Sequence, residues 1–360
     1  MTENIEIYNS DCRHFVGTVP CKPHKSNGYH CSTCPDYDKT SGIILIIKLG
    51  AIGDVIRTTP LIHKLKKEYP DKKIWWLTYS PEIVPSVVDK VLQYDTESIE
   101  IIKTVNFDLA INLDKDLQAG AVINAVKANS KFGYTIVNGL PAPINELAED
   151  KFVTGIFDDI NKANKLSYLQ EIFKICGWEF EGEEYILDFD DSILWDLMNG
   201  GRKVIGLNTG CGARWVSRLW SDDNWIELIK RLQNNGYFPL LLGGSQEDEK
   251  NKLFALKTSA YYPGYFSLSN FISLMNQCDA IVSAVTMGMH IAVGLKKPLI
   301  LMNNIFNPAE FELYGRGEII QPRVECTCFF SPNCKNDNYF CMDHLTVDSI
   351  YEAIIRSLSK

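Results

Sequence analysis

The sequence predicts an α/β protein of two Rossmann-like domains, each a doubly wound parallel sheet flanked by helices. Three observations lead there. Apolar, β-branched runs alternate with helix-length stretches in two separate series, the pattern of βαβ units. Strands run into turns of small residues before the next helix, where ligands of such sheets bind. The chain has 360 residues, 46% of them hydrophobic, enough for two domains with cores of their own.

Residues 1–41, rich in Cys, His, Pro, Gly and Ser, carry no helical or strand period and read as a loop-built extension. The first domain, residues 42–190, opens with a buried strand over 43–48, a nearly unbroken aliphatic run. The turn 49–54 leads into a helix over 55–69 that Pro70 stops. A strand at 74–78, a helical piece at 81–88, a short strand at 91–94, a strand at 107–113 and a helix at 117–128 follow. An amphipathic helix over 164–177 ends at a Gly cap, and residues 178–202 form the connection, closing on Asn199-Gly200-Gly201.

The second domain, residues 200–345, repeats the alternation. Strands are expected at 203–208, 237–242, 280–283 and 298–302, with helices at 222–234, 268–277 and 288–294. A last helix at 347–357, within the terminal segment 346–360, is expected to cross back onto the first domain.

Composition excludes some classes. Lys+Arg 36 against Asp+Glu 45 gives a net charge of −9, which argues against a nucleic-acid binder. The basic run Lys64, Lys66, Lys67, Lys72 and Lys73 reads as the solvated side of a helix and turn, with contact to an anionic membrane surface or an acidic acceptor as the alternative. No stretch approaches the roughly 20 apolar residues of a membrane helix, and the start lacks a signal-peptide layout. The expected location is the cytoplasm, with the inner face of the membrane within reach.

Three segments carry chemistry. In KLGAIGDVIRTTP, residues 48–60, Gly50 and Gly53 relax a strand-to-helix turn and let a ligand approach the backbone. Asp54 there is either a helix cap or a base. The Gly-x-Gly-x-x-Gly dinucleotide fingerprint is absent, which counts against a nicotinamide-dependent oxidoreductase. In GLNTGCGARWVSRLWSDDNW, residues 206–225, Thr209 and Gly210 open a small-residue loop. Arg218 offers a planar, multi-donor cation suited to diphosphate, or else stacks on Trp215 or Trp220. Gly243 follows the next strand in the same way. In DAIVSAVTMGMHIAVGL, residues 279–295, Thr286 and the N–H groups after it can cradle a phosphate, with Met289 and His290 one turn on.

In this order and spacing the segments closely resemble glycosyltransferase family 9, the ADP-heptose lipopolysaccharide heptosyltransferases, over about residues 42–345; LGAIGDVIRTTPLIHKLKKEYP is the most specific part. The resemblance implies a GT-B fold of two facing Rossmann-like domains with a cleft between them, inverting transfer, and no metal for the transfer itself. It implies Asp54 as base and places Arg218 at the basic position of the family's Lys-Arg-Trp-Pro-like segment. Thr286, Met289 and His290 match the family's Asp-Thr-Gly-Pro-Met-His motif. The donor would be an ADP-heptose-like nucleotide-diphosphate sugar, and the acceptor a glycan precursor, lipid-linked or not, or a protein. Val285 stands where that motif has aspartate and cannot accept a hydroxyl hydrogen bond. The stretch FNPAEFELYGRG offers Glu310 and Glu312 as substitutes. A metal-stabilised GT-B module without turnover is the alternative that Val285 raises.

Eleven cysteines remain to be explained. Cys12, Cys21, Cys31 and Cys34 form one set, interspersed with His14, His24 and His30; Cys326, Cys328, Cys334 and Cys341 form another. Clustered thiols in a reducing compartment hold metal more often than they pair, and Cys31 and Cys34 make a CxxC knuckle. Zinc in each set is the simplest expectation, with iron or an iron–sulfur cluster as its rival and one joint site as the alternative to two. The autotransporter protein heptosyltransferases, a branch of the resembled family, hold iron through cysteines. Four protein ligands imply a structural role or one in acceptor recognition.

Overall fold

The computed structural model describes residues 7–212 and 214–359; Ala213 and both ends of the chain, residues 1–6 of the extension and Lys360, lie outside the description. The chain divides into two compact units, one of Met1–Leu49 and Leu61–Ala148, the other of Gly50–Pro60 and Glu149–Lys360. The division falls after Ala148, earlier than the expected domain limit at 190, and the turn Gly50–Pro60 groups with the second unit.

In the first unit the extension carries α1 (Lys22–Asn27) and a 3-10 turn, Cys31–Thr33. β1 (Gly42–Ile47) follows; the chain then passes through α2 (Ile52–Ile56) of the second unit and returns at α3 (Leu61–Glu68). β2 (Lys72–Thr78), β3 (Lys90–Gln93), α4 (Thr96–Thr104), β4 (Asn106–Asn112), α5 (Leu117–Ala125), β5 (Lys127–Val137) and β6 (Leu140–Pro143) complete it. The sheet order is β3-β2-β1-β4-β5-β6, parallel except for β6. Leu45, Ile47, Leu77, Phe107, Ala110 and Ile123 fill the core on one side of it.

The sheet order reverses direction between β1 and β4, and a buried ion pair marks that point. Lys48 Nζ pairs with Asp114, whose carboxylate also accepts the Leu49 N–H. Burial pushes the Asp114 carboxyl up, and Lys48 opposes it. The extension is tied down by charge: Arg13 meets Asp38 at 2.7 Å and Asp89 at 3.0 Å, and donates to the carbonyls of Pro70 and Lys72.

The second unit continues with α6 (Glu149–Thr154), α7 (Asp158–Ala163), α8 (Tyr168–Ile175), β7 (Val204–Asn208), α9 (Asp222–Asn234), β8 (Phe238–Leu242) and α10 (Asp248–Thr258). It ends with α11 (Leu268–Asn276), β9 (Ala280–Ala284), α12 (Met287–Gly294), β10 (Leu299–Met302), β11 (Gly317–Ile320) and α13 (Val347–Leu358). Its sheet, β11-β10-β9-β7-β8, is parallel throughout, and β7, β8, β9 and β10 are buried along their whole length. That is why these strands read as continuous apolar runs.

Four expectations are corrected. The helix over 55–69 is two helices, because Thr58 and Thr59 hydroxyls bond back to the carbonyls of Asp54 and Ile56, both at 2.7 Å, and Pro60 has no N–H to continue the ladder. The helical piece at 81–88 is only a 3-10 turn, Pro81–Ile83. The apolar end of the expected helix 117–128 belongs to β5, which the sequence reading missed along with α1 in the extension read as loop-built, α4, α6, α7, α10, β6 and β11. The last helix stays in the second unit: Ile350, Ala353 and Ile354 are buried with Trp225 and Leu228, and Trp220 Nε1 donates to the Leu345 carbonyl at 2.7 Å.

Candidate functional site

The second sheet reverses its order between β7 and β9, and parallel sheets bind ligands at such points. Asn208 ends β7 there. Its Nδ2 donates to Ser283 Oγ at 2.9 Å and Thr286 Oγ1 at 3.1 Å, tying the two strand ends together. Thr286 caps α12, accepting the Gly288 N–H at 3.1 Å. Met289 and His290 are buried in the helix behind it, and Val285 is a buried apolar side chain just ahead of it.

The turn around Gly53 packs directly on this helix. A Cβ on Gly53 would lie 2.6 Å from His290 Cδ2 and 3.5 Å from Met287 Cα, so only glycine permits the approach. The first and third sequence segments therefore touch, at the start of α12. Burial pushes His290 down to about 3, helped by Arg57 and opposed by Asp54, so the imidazole is neutral at ordinary pH.

Asp54 is not the N-cap of α2; Ala51 holds that position and Asp54 is the third residue in. Its Oδ2 accepts the Ala51 N–H at 3.3 Å, while Oδ1 pairs with Arg57 at 2.8 Å. Its side chain is 33% exposed. Arg57 also pairs with Glu310 Oε1 at 2.7 Å and lies 3.7 Å over the Tyr168 ring. Burial works against the Arg57 cation, but Asp54 and Glu310 outweigh it and raise its pKa. Gly50 precedes this group in the turn.

Arg218 lies apart from those carboxylates. It is 7% exposed, with the rings of Trp215 and Phe306 at 5.6 and 5.5 Å, and its Nη2 donates to the Cys211 carbonyl at 2.8 Å. Its Nε is buried without a partner, and among the described residues no carboxylate pairs with it. Burial therefore lowers Arg218 to about 10, with Cys211 opposing. Trp220, the other stacking candidate, is a core residue set edge-on to Trp225. Thr209 Oγ1 bonds Asn251 Oδ1 at 2.6 Å, and Gly210 and Gly243 both pack against Glu247, whose carboxylate accepts the Gly244 N–H.

The cysteine sets fall one in each unit. Cys12, Cys21, Cys31 and Cys34 line one cavity of about 20 Å³ with His14, Tyr29 and Tyr37. In the second set Cys328 and Cys334 sulfurs are 3.7 Å apart, the Cys328 N–H donates to Cys326 Sγ, and Asn304 donates to Cys341 Sγ at 3.3 Å. The Cys326 thiol, with Asn304, draws Cys341 down to about 6 against the effect of burial. All eight are free thiols, and among the described residues no three His, Cys, Asp or Glu side chains are drawn together closely enough to hold an ion.

Sequence reasoning missed Arg57, Tyr168, Asn208 and Ser283. Arg57 carried a signal, three residues after Asp54 and so on the same helix face. Asn208 and Ser283 carried none, since each matters only through the strand order.

Two Rossmann-like sheets with their turns at the strand ends define the fold class as GT-B. A glycosyl transferase family 9 structure from Veillonella parvula has the same fold with a TM-score of 0.67, at 15% identity over 88% of this chain and 97% of that one. The E. coli ADP-heptose lps heptosyltransferase II matches with a TM-score of 0.64, at 15% identity over 88% and 98%. Residues 179–339 match the family model "Glycosyltransferase family 9 (heptosyltransferase)". Lipopolysaccharide heptosyltransferase 1 of Pseudomonas aeruginosa is 21% identical over 331 residues, 82% of this chain and 90% of that one. Over residues 179–339 the chain is thus similar to the glycosyltransferase family 9 heptosyltransferases, and the likeness to the Pseudomonas enzyme extends over most of its length.

Proposed function

We propose that this glycosyltransferase moves heptose from ADP-heptose to a hydroxyl of a surface-glycan precursor, by inverting displacement, in the cytoplasm. The observation that carries this reading is the contact of the Gly53–Asp54 turn with the start of α12. It sets a partly exposed carboxylate beside a capped helix start of the kind that takes a diphosphate. The acceptor hydroxyl gives its proton to Asp54 as its oxygen bonds to the anomeric carbon. The bond from that carbon to the diphosphate breaks, and the electron pair leaves with ADP. Arg218, a buried cation with no carboxylate partner among the described residues, and the N–H groups near Thr286 would take up the charge that develops there. His290, neutral and buried, supports the turn rather than the phosphate.

ADP release from ADP-heptose, with deacylated lipopolysaccharide core as acceptor, tests this. The wild type should turn over, and Asp54→Asn should lose about 1,000-fold or more in kcat while still binding ADP. Full activity in Asp54→Asn would leave that residue as a helix-end contact only. A wild type that binds ADP but stays silent with ADP-, UDP- and GDP-sugars would favour the module without turnover.

The cysteine sets support a second reading, of structural metal sites holding zinc or iron. Four free thiols around one small cavity are a soft-metal donor set, though the sulfurs must close on the ion. Elemental analysis after purification without oxygen should find metal, and Cys31→Ser with Cys34→Ser should lower its content by the share that the first set holds. A metal-free wild type would sink it.

A further inference from the structure

The loss of the family-type aspartate at Val285 raises the question of what Glu310 does instead. Its carboxylate is spent on Arg57 at 2.7 Å, and Arg57 in turn holds Asp54 Oδ1 at 2.8 Å. The three side chains form a line, carboxylate, guanidinium, carboxylate, with the Asp54 end the most exposed of the three at 33%. Tyr168 lies 3.7 Å under the guanidinium, and its hydroxyl is 3.2 Å from Thr58 Oγ1, so the middle of the line is held from below.

We propose that Arg57 and Glu310 are positioning residues for sugar transfer, which fix the Asp54 carboxylate and set how tightly it binds a proton. The proposal rests on Asp54 acting as the base. A planar guanidinium with two donors on two carboxylates fixes orientation as well as charge. Arg57 occupies Oδ1 and so leaves Oδ2, bonded at 3.3 Å to the Ala51 N–H, as the oxygen placed to take the proton. A lone arginine would weaken the base, because an adjacent opposite charge favours the ionised form. Glu310 draws on the same cation from the other side, so the charge of Arg57 is shared between the two carboxylates while Asp54 stays anchored.

The other groups facing Asp54 do not compete for this role. His290, from α12, is buried and neutral. Tyr185 is held protonated, chiefly by burial, with Arg57 opposing and Asp54 among the groups that raise it. Glu312, two residues past Glu310, bonds the Tyr314 N–H at 2.6 Å and acts on Tyr185 from farther out. The Asp54–Arg57–Glu310 line places two full charges directly along the turn.

Two variants should move one titration in opposite directions. The acid limb of kcat/KM, measured as ADP release from ADP-heptose, should rise by about one pH unit or more in Arg57→Gln and fall by about half a unit or more in Glu310→Gln. Arg57→Gln should also lose about 10- to 100-fold in kcat at the pH optimum, and Arg57→Lys, which keeps the charge but not the fork, should restore the limb more than the rate. The 13C resonance of the Asp54 side-chain carboxyl, assigned by its absence in Asp54→Asn, should show the same opposed shifts without turnover. Thermal melts of each variant report whether it is folded. If limb and resonance stay put in folded Arg57→Gln and Glu310→Gln, the two residues are structural and the proposal falls. If Asp54→Asn retains full activity, the base reading fails instead, and this proposal with it.

Discussion

Arg57, half-buried, and Arg218, buried, both belong to the second unit and are each set over an aromatic ring, yet they stand in opposite electrostatic positions. Arg57 has a carboxylate on each side and its pKa is raised; Arg218 has no carboxylate partner among the described residues and is lowered to about 10. The same residue type thus serves two ends. A cation whose charge is already matched organises its neighbours. One left unmatched in a buried site keeps its charge available for an anion that arrives from outside.

The comparison breaks most sharply at Arg218. Arg218→Met should lower kcat/KM for ADP-heptose by about 100- to 1,000-fold. The same change should leave the melting temperature unchanged or higher, because it removes an uncompensated buried cation. A variant that loses stability and keeps activity would show that Arg218 is a packing residue.

Arg57→Met should do the reverse to stability. It strands two part-exposed carboxylates that shared one cation, at a cost of about 1–2 kcal/mol in urea denaturation. Equal stability in Arg57→Met and wild type would mean the line contributes nothing to the fold.

Gly53→Ala sharpens the contact on which the reading depends. The added methyl meets His290 Cδ2 at 2.6 Å, and the misfit should cost about 1–3 kcal/mol and displace Asp54 enough to slow transfer. Unchanged kinetics would show that the turn moves freely relative to α12.

The last effect is felt only in acid and leaves stability and activity near neutral pH unchanged. His290 is lowered to about 3 in the fold against an ordinary 6.5, so the unfolded chain gains the proton first as pH falls. Stability from this group is complete above 6.5 and is lost progressively between 6.5 and about 3, at up to about 1.4 kcal/mol per pH unit. His290→Gln should flatten that slope in urea titrations across the window. An unaltered slope would assign the acid sensitivity to other groups.

Much of the second unit was legible beforehand. The helix at Asp222–Asn234 fell on its expected residues because Ser221 caps it and its apolar face is regular. Helix α10 was missed for the opposite reason: its apolar residues show almost no helical period, and only Asn251, Phe254 and Thr258 are buried. Of the site, Asp54, Thr286 and His290 could be found because each sits at a strand-to-helix joint with a recognisable pattern. Glu310 could be suspected but not placed, since its meaning lies in a hydrogen bond to a residue 253 positions away.

The sequence by itself determined two α/β series, the strand-end turns and the cysteine clustering, because these depend on periodicity and spacing along the chain. It did not determine that α13 packs in the second unit, that Gly53 must be glycine to admit His290, or that Arg57 is matched while Arg218 is not. Those are decided by which side chains meet across long sequence separations. The electrostatic character of a buried arginine is a property of its partners, and partners exist only once the chain has folded.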